Sequence, residues 1–175
     1  MKHQGKFTKK PGKCKGFEYT FQVQGQLPKS TYSRPLPLAL RPAVSEVTRQ
    51  LMKADILEES HSSYLNPLTV VQREGKSPWM CVDARKLNQV MLPDRTKVAP
   101  MQEILQRFHG TGYITTLDLS SAFLQVPLDE ASRKYTAFEY QSKVYQYKGI
   151  PYVFRNSLAG FMRVLQAVLG DEACG

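Results

Sequence analysis

The sequence predicts a mixed α/β fold, and three features of its patterning indicate this class. Apolar residues at helical spacing follow Ala43, two later stretches are rich in β-branched and aromatic residues, and a second helical stripe precedes the C-terminus. With 175 residues, the chain is long enough to bury one hydrophobic core. No apolar run approaches the roughly 20 residues that span a bilayer. We expect one folded domain of helices and antiparallel strands.

The N-terminal residues 1–41 form a basic segment in which repeated prolines disfavour a helix. Residues 1–45 carry nine Lys or Arg and a single acid, a net charge of +8. Residues 46–175 carry fifteen basic and fourteen acidic residues, a net charge of +1. We expect an extended tail that lies over a surface. Such a tail either holds phosphate backbones by counterion release or is a solvated, disordered extension.

The first predicted helix covers residues 44–56, where apolar side chains recur at i, i+3, i+7 and i+8 (Val44, Val47, Leu51 and Met52). Residues 66–84 then predict two strands joined by a turn at residues 74–76, because Val, Thr and Trp suit strands and Gly75 supplies the turn. Pro93 and Pro100 interrupt the chain. A short helix is expected over residues 101–108, with Gly110 as its C-terminal stop.

Three further elements follow. Residues 113–119 alternate as in a strand, which would carry Asp118 near its C-terminal end. Residues 135–148 predict a hairpin of aromatic and β-branched residues. Residues 156–170 predict a helix with Asn156 or Ser157 as cap and Gly170 as stop. Its apolar face would consist of Leu158, Phe161, Met162, Leu165 and Leu169.

The cysteines and histidines show no pattern of a metal site or a disulfide framework. Three of each are scattered along the chain, without a Cys-x-x-Cys pair (Cys14, Cys81, Cys174; His3, His61, His109). The basic N-terminus has no apolar segment behind it, which argues against a secretory signal. We therefore expect an intracellular, non-secreted protein without a membrane partner.

Asp118 is the one acid in the otherwise apolar run TLDLSSAFLQVPL at residues 116–128. From the residues alone, it is a turn or cap residue that ends a strand, or a carboxylate with a chemical role.

Six sequence blocks between about residues 30 and 170 share their order and spacing with one protein family: RPLPLALRPAVSEVTRQLMKADILEES, SSYLNPLTVV, CVDARKLNQV, LDLSSAFLQVPL, KYTAF and IPYVFRNSLAGFMRVL. Together they resemble the N-terminal part of a reverse transcriptase, an RNA-directed DNA polymerase, of Ty3/Gypsy-type LTR retrotransposons and retroviruses. The resemblance implies fingers with antiparallel strands and helices, mainly at residues 42–92 and 124–155. It also implies an incomplete palm sheet, mainly at residues 93–123 and 156–175.

By this resemblance, Asp118 would be the first of three catalytic aspartates and would bind Mg²⁺ together with the Leu119 carbonyl. Carboxylate and carbonyl oxygens suit such an ion, and two ions would activate a 3′-hydroxyl and neutralise the departing pyrophosphate. The small Ser121 and Ala122 would let backbone amides approach the triphosphate of a dNTP. Phe123 would lie under the sugar and leave no space for a 2′-hydroxyl, although ordinary core packing is the alternative.

The same resemblance gives roles to residues of the fingers. A basic residue of the 68–82 hairpin would reach the triphosphate, and in this sequence only Arg73 and Lys76 could partly supply that charge. Trp79 stands where the family usually has Arg or Lys, so the hairpin lacks that charge. Asp83 and Arg85 would brace the hairpin and the template strand, and a simple ion pair between them is the alternative.

The IPYVFRN block would run beside the template and the base pair. Arg155 would support the template, and Tyr152 would either contact the sugar or act as a packing aromatic. Val153 stands where the family has glycine. A β-branched residue is stiff there and suits neither close approach nor unusual dihedrals.

The family's Tyr-x-Asp-Asp motif is absent from this sequence. Beyond Asp118 the acids are few and lie in other contexts (Asp129, Glu130, Glu139, Asp171 and Glu172). We therefore expect a product of a retrotransposon Pol polyprotein that is truncated before this motif and cannot polymerise alone. The alternatives are a non-catalytic module that binds RNA or an RNA–DNA hybrid, a fragment that self-associates or pairs with the rest of a Pol polyprotein through an open palm edge, and an incomplete gene model without a stable product.

Overall fold

The computed structural model describes residues 12–96, 102–103, 106, 110, 112–113 and 118–169. Within these ranges the helices are α1 (Arg41–Lys53), α2 (Arg85–Val90), α3 (Glu130–Arg133) and α4 (Ser157–Leu169). The strands are β1 (Leu57–Glu59), β2 (Leu68–Arg73), β3 (Lys76–Val82), β4 (Phe138–Tyr140) and β5 (Lys143–Tyr147). The predicted mixed α/β class is confirmed. Most of the predicted helix at residues 101–108 and most of the predicted strand at 113–119 lie outside the described residues.

The strands form two small antiparallel sheets. One is the β2–β3 hairpin, and the other has three strands in the order β1-β5-β4. Gly75 turns the first hairpin with φ +65°, as the sequence predicted. The β4–β5 hairpin turns at Gln141 and Ser142, which both have positive φ, as the favoured two-residue hairpin turns require. Both predicted hairpins are confirmed.

Helix α1 ends at Lys53, so the prediction that it extends to about Ile56 is wrong. Asp55 has φ +59°, and its amide donates to the Met52 carbonyl (3.1 Å). The amide of Ile56 donates to the Leu51 carbonyl (2.9 Å). This pair of bonds is the left-handed helix stop usually made by glycine. It turns Ile56 into the core as the first buried residue after the helix.

The N-terminal segment of residues 12–37 contains no helix or strand, yet it is part of the core. Tyr19 and Phe21 are buried. The Tyr19 amide donates to the Pro127 carbonyl, and the Phe21 amide donates to the buried Ser132 hydroxyl, both at 2.8 Å. This half of the basic segment is therefore folded onto the domain.

The hydrophobic core lies between α1, the two sheets and the chain that precedes α4. Its largest fully buried side chains are Phe138, Leu57, Leu87, Met91, Leu128 and Ile150. The Phe138 ring lies 5.9 Å from that of Tyr145 and 5.8 Å from that of Tyr147. No helix among the described residues is long and apolar enough to cross a bilayer.

Helix α4 begins at Ser157 as predicted, but the predicted apolar face is partly wrong. Leu158 is 51% exposed, whereas Gly160 and Val164 are buried. A Cβ on Gly160 would lie only 2.8 Å from the Ile150 side chain and 3.0 Å from the Tyr19 ring. The helix thus approaches the core through its smallest residue, a contact that a count of large apolar side chains misses.

Candidate nucleotide and metal site

The turn after Asp118 has an unusual backbone. Asp118 and Leu119 are exposed and lie outside any described strand, and the four residues before them are not described. Ser121 adopts the left-handed conformation (φ +52°, ψ +43°), which is uncommon for a residue with a side chain. A 3-10 turn follows at residues 122–125, and the Gln125 side chain donates to the Ser120 carbonyl (2.8 Å). The carboxylate of Asp118 therefore faces solvent on the rim of a tightly held turn.

Phe123 packs against helix α4. Its ring lies 5.2 Å from that of Phe161, at an angle of 52°. Both rings are half-buried. The packing alternative for Phe123 is thus observed, and its contact with a sugar stays a prediction.

A cavity of about 660 Å³ separates this turn from α4. Asp118, Leu119 and Ala122 line one side, and Val164 and Val168 line the other. No group of three or more His, Cys, Asp or Glu side chains within the described ranges is close enough to hold a metal ion. Asp118 and the Leu119 carbonyl fit the hard-oxygen chemistry of Mg²⁺, but only as part of a ligand set.

The turn at residues 151–156 is fixed by amide side chains. Asn88 of α2 donates to the Val153 carbonyl (3.1 Å) and accepts from the Arg155 amide (2.8 Å). Asn156 is buried, donates to the Leu92 carbonyl (2.6 Å) and accepts from the Asp94 amide (3.0 Å). These bonds hold the turn in one position, and the Arg155 side chain is exposed beside it.

Tyr152 on this turn stacks on Trp79 of β3. The ring centroids are 4.8 Å apart and the rings are inclined by 25°. Burial raises the pKa of the neighbouring Cys81 thiol, and a hydrogen bond with Tyr152 partly opposes this shift. Arg73 and Lys76 are paired in the strand register at the turn end of the same hairpin, and Lys76 lies three residues before Trp79. The packing alternative for Tyr152 is therefore present, with a partner that the sequence did not reveal.

Asp83 and Arg85 form the ion pair that was the structural alternative. The Arg85 Nε donates to both carboxylate oxygens of Asp83 (2.8 and 3.0 Å). This bond holds the pKa of Asp83 below its usual range. The Arg85 side chain nevertheless remains 88% exposed.

This ion pair lines a groove of about 730 Å³, together with Tyr32, Arg34 and Lys86. Tyr32 is 69% exposed, and the Lys86 ammonium donates to the Thr31 hydroxyl (2.7 Å). The sequence analysis missed these three residues as site candidates. Two signals in the sequence could have identified them: the basic pair Arg85-Lys86, and the aromatic Tyr32 within a basic segment.

Seven of the predicted site residues thus lie on three surfaces. Asp118, Leu119 and Ala122 line the 660 Å³ cavity, Ser121 and Tyr152 line a second one beside Trp79, and Asp83 and Arg85 line the groove.

Comparisons with known proteins identify the family of this chain. A family model described as reverse transcriptase (RNA-dependent DNA polymerase) matches residues 72–172, more than half of the chain. The Pol polyproteins of transposon 297 and transposon gypsy of Drosophila melanogaster are 34% and 32% identical to it, over 79% and 81% of this chain. The protease-reverse transcriptase of prototype foamy virus superposes with a TM-score of 0.81 at 25% identity, over 90% of this chain and 21% of that one.

The chain therefore belongs to the reverse transcriptase (RNA-dependent DNA polymerase) family. Within that family, it carries a reverse transcriptase domain of the kind found in retrotransposon Pol polyproteins. It spans 14% of the length of each of the two Drosophila relatives. Use of divalent metal ions is general in this family, and no cluster of three or more His, Cys, Asp or Glu side chains that could hold such an ion is found in the part of the chain that the structure describes.

Proposed function

We propose that this chain supplies the fingers and the first metal-binding carboxylate of an RNA-directed DNA polymerase. The observation that carries the proposal is the exposed Asp118 on the rim of the left-handed Ser121 turn, within a reverse transcriptase fold. Asp118 and the Leu119 carbonyl would hold Mg²⁺, which neutralises charge on a dNTP triphosphate when bound. Ser121 and Ala122 would leave room for that triphosphate, and Phe123 would support the sugar.

A single carboxylate does not fix two octahedral ions, so polymerisation needs further carboxylates from another polypeptide segment. Binding of Mn²⁺, followed by electron paramagnetic resonance, tests the part that this chain supplies. Asp118→Asn should weaken Mn²⁺ binding at least tenfold, whereas Asp129→Asn, outside the cavity, should leave it unchanged. Equal effects of the two variants would contradict the role of Asp118.

We also propose that the groove beside Asp83 holds the template strand of an RNA–DNA hybrid. Arg34, Arg85 and Lys86 can neutralise phosphates, and the exposed Tyr32 offers a stacking surface for an unpaired base. Structures of the foamy viral protease-reverse transcriptase in complex with an RNA/DNA hybrid and with double-stranded DNA have TM-scores of 0.78 and 0.79 against this chain, at 21% identity. At this identity, these structures support the proposal only because they share the fold of this chain.

The test is the fluorescence anisotropy of a labelled hybrid with a single-stranded template overhang, titrated at several salt concentrations. Arg85→Ala should weaken binding and reduce the slope of log affinity against log salt by about one. Arg49→Ala is the matched control, because Arg49 is also exposed and paired with a carboxylate, that of Glu46, on a different surface. If the two variants behave alike, the groove does not hold the template.

A second candidate function is pairing with the rest of a Pol polyprotein through the apolar side of the 660 Å³ cavity. Leu119 and Val168 are exposed there, and a soluble domain gains by covering such a surface. Sedimentation velocity tests self-association through the same face. A single compact monomeric species at all concentrations would contradict self-association.

A further inference from the structure

The contact between Trp79 and Tyr152 joins two parts of the molecule that are far apart in the sequence. Trp79 is the only tryptophan of the chain and lies on β3, opposite Val71 of β2. Tyr152 lies on the turn that Asn88 holds at both Val153 and Arg155. The stack therefore connects a hairpin held by a strand ladder to a turn held by an amide clamp.

The stack also limits the space beside the Ser121 turn. The cavity there has a volume of about 240 Å³, and both stacked rings line it together with Ser121 and Leu124. Sites for small organic ligands usually measure roughly 300 to 1,000 Å³. A nucleoside triphosphate is as large as such ligands, so it enters this cleft only if the two rings separate.

The chemistry of the two rings also disfavours the binding of a triphosphate. Neither side chain carries a charge, so the stack gives a triphosphate no ion pair in return for its separation. Val153 beside Tyr152 is half-buried against the core, and its side chain reduces the space further. The exposed 45% of Trp79 shows that one part of the ring faces solvent while the other covers Tyr152.

We propose that Trp79 and Tyr152 form an aromatic gate that keeps nucleoside triphosphates out of the cleft between the β2–β3 hairpin and the Ser121 turn. The gate rests on the proposed function of that turn: in its closed position it covers the Ser121 side of the proposed nucleotide site, and a dNTP binds there only when the two rings separate. Opening the gate requires the β2–β3 hairpin to move away from residues 151–156, since the Asn88 clamp holds the other side.

The fluorescence of the single tryptophan tests the stack in solution. Quenching by acrylamide should be at least twofold stronger in Tyr152→Ala than in the wild-type protein, where Tyr152 covers one part of the ring. Tyr152→Phe keeps the ring and should behave as the wild type does. Equal quenching of Trp79 in the alanine and phenylalanine variants would overturn the gate.

Binding of dTTP in the presence of Mn²⁺, measured by equilibrium dialysis, tests the exclusion. Trp79→Ala should bind dTTP at least tenfold more tightly than the wild type, while Trp79→Phe, which preserves a stack, should not. Circular dichroism confirms that each variant is folded. Equal affinities of the wild type and Trp79→Ala, including the absence of binding in both, would overturn the gate. Mn²⁺ binding that Asp118→Asn weakens involves neither ring. It therefore tests the proposed function separately and distinguishes a failure of that function from a failure of the gate.

Discussion

The close crossing at Gly149 gives a direct test of how the Ser121 turn is positioned. A Cβ on Gly149 would lie 2.2 Å from the Leu124 carbonyl oxygen, whereas ordinary van der Waals contact begins at 3.4 Å. Gly149→Ala therefore forces the two backbones apart by about 1.2 Å, the difference between these distances. The contact is with backbone, so no side-chain rotation relieves it.

The loss of unfolding free energy can be derived from the two backbone hydrogen bonds that flank Gly149. The Leu128 amide donates to the Lys148 carbonyl (2.8 Å), and the Ile150 amide donates to the Val126 carbonyl (3.0 Å). Weakening two such bonds costs about 1 kcal/mol each, and overpacking a buried contact adds 1–3 kcal/mol by itself. We expect Gly149→Ala to lower the free energy of unfolding by about 3–5 kcal/mol.

Urea unfolding followed by Trp79 fluorescence measures this change. Gly112→Ala is the matched control, because a Cβ there meets no atom within 4 Å and should change the free energy by less than about 0.5 kcal/mol. A value for Gly149→Ala that matches the control would show that the 122–125 turn adapts freely. The inference that this turn holds Asp118 in a fixed position would then be refuted as well.

Three further predictions concern the hydrogen bonds of Asn156, the buried carboxylate of Asp94 and the groove beside Asp83. Asn156→Ala leaves the Asp94 amide and the Leu92 carbonyl without their partner and should cost about 1–3 kcal/mol in urea unfolding; an unchanged midpoint would contradict this. Burial raises the pKa of Asp94, but hydrogen bonds from Thr96, Tyr19 and Arg163 outweigh it, and the pKa lies below 3.8. The stabilisation is therefore present above pH 3.8 and lost as the pH falls through the lower folded value, so Asp94→Asn should flatten the acid limb of a stability profile. An acid limb as steep as that of the wild type would contradict it. Tyr32→Ala should weaken binding of a hybrid with a template overhang, measured by anisotropy, and leave binding of a blunt hybrid unchanged; equal losses would exclude stacking.

Local patterns predicted the parts of the fold whose contacts are close in sequence. Gly75 and the β-branched residues around it were sufficient to place the β2–β3 hairpin. The spacing of Val44, Val47 and Leu51 was sufficient to place α1, although the left-handed Asp55 that ends it gave no familiar glycine signal. These elements depend on periodicity and turn chemistry, which a single sequence displays.

Contacts between distant segments were not predictable in the same way. The sequence around Tyr19 and Phe21 suggested only a basic tail, because nothing local shows that Ser132 and Pro127 receive their backbone amides. The predicted apolar face of α4 did not include Gly160, although a Cβ there would lie only 2.8 Å from the Ile150 side chain. Such contacts form between segments that are distant in the sequence. The periodicity of one segment does not indicate which other segment packs against it.

The candidate site shows the same division. Asp118 was identified by the family resemblance, and its metal and catalytic role remains a prediction. The ion pair of Asp83 with Arg85 was available from sequence proximity. The stack of Trp79 on Tyr152 was not, since each residue was judged separately against the family pattern. Their partnership depends on a contact across 73 positions, the difference between their residue numbers.

A primer-extension assay with labelled oligo(dT) on poly(rA), dTTP and Mn²⁺ measures binding and incorporation in one reaction. If this chain supplies the fingers and one carboxylate, the hybrid is retained by the protein and the primer keeps its length, in the wild type and in Asp118→Asn alike. Extension by the wild-type chain that Asp118→Asn abolishes would show that the chain assembles a full metal site by itself. That result would contradict the single-carboxylate interpretation.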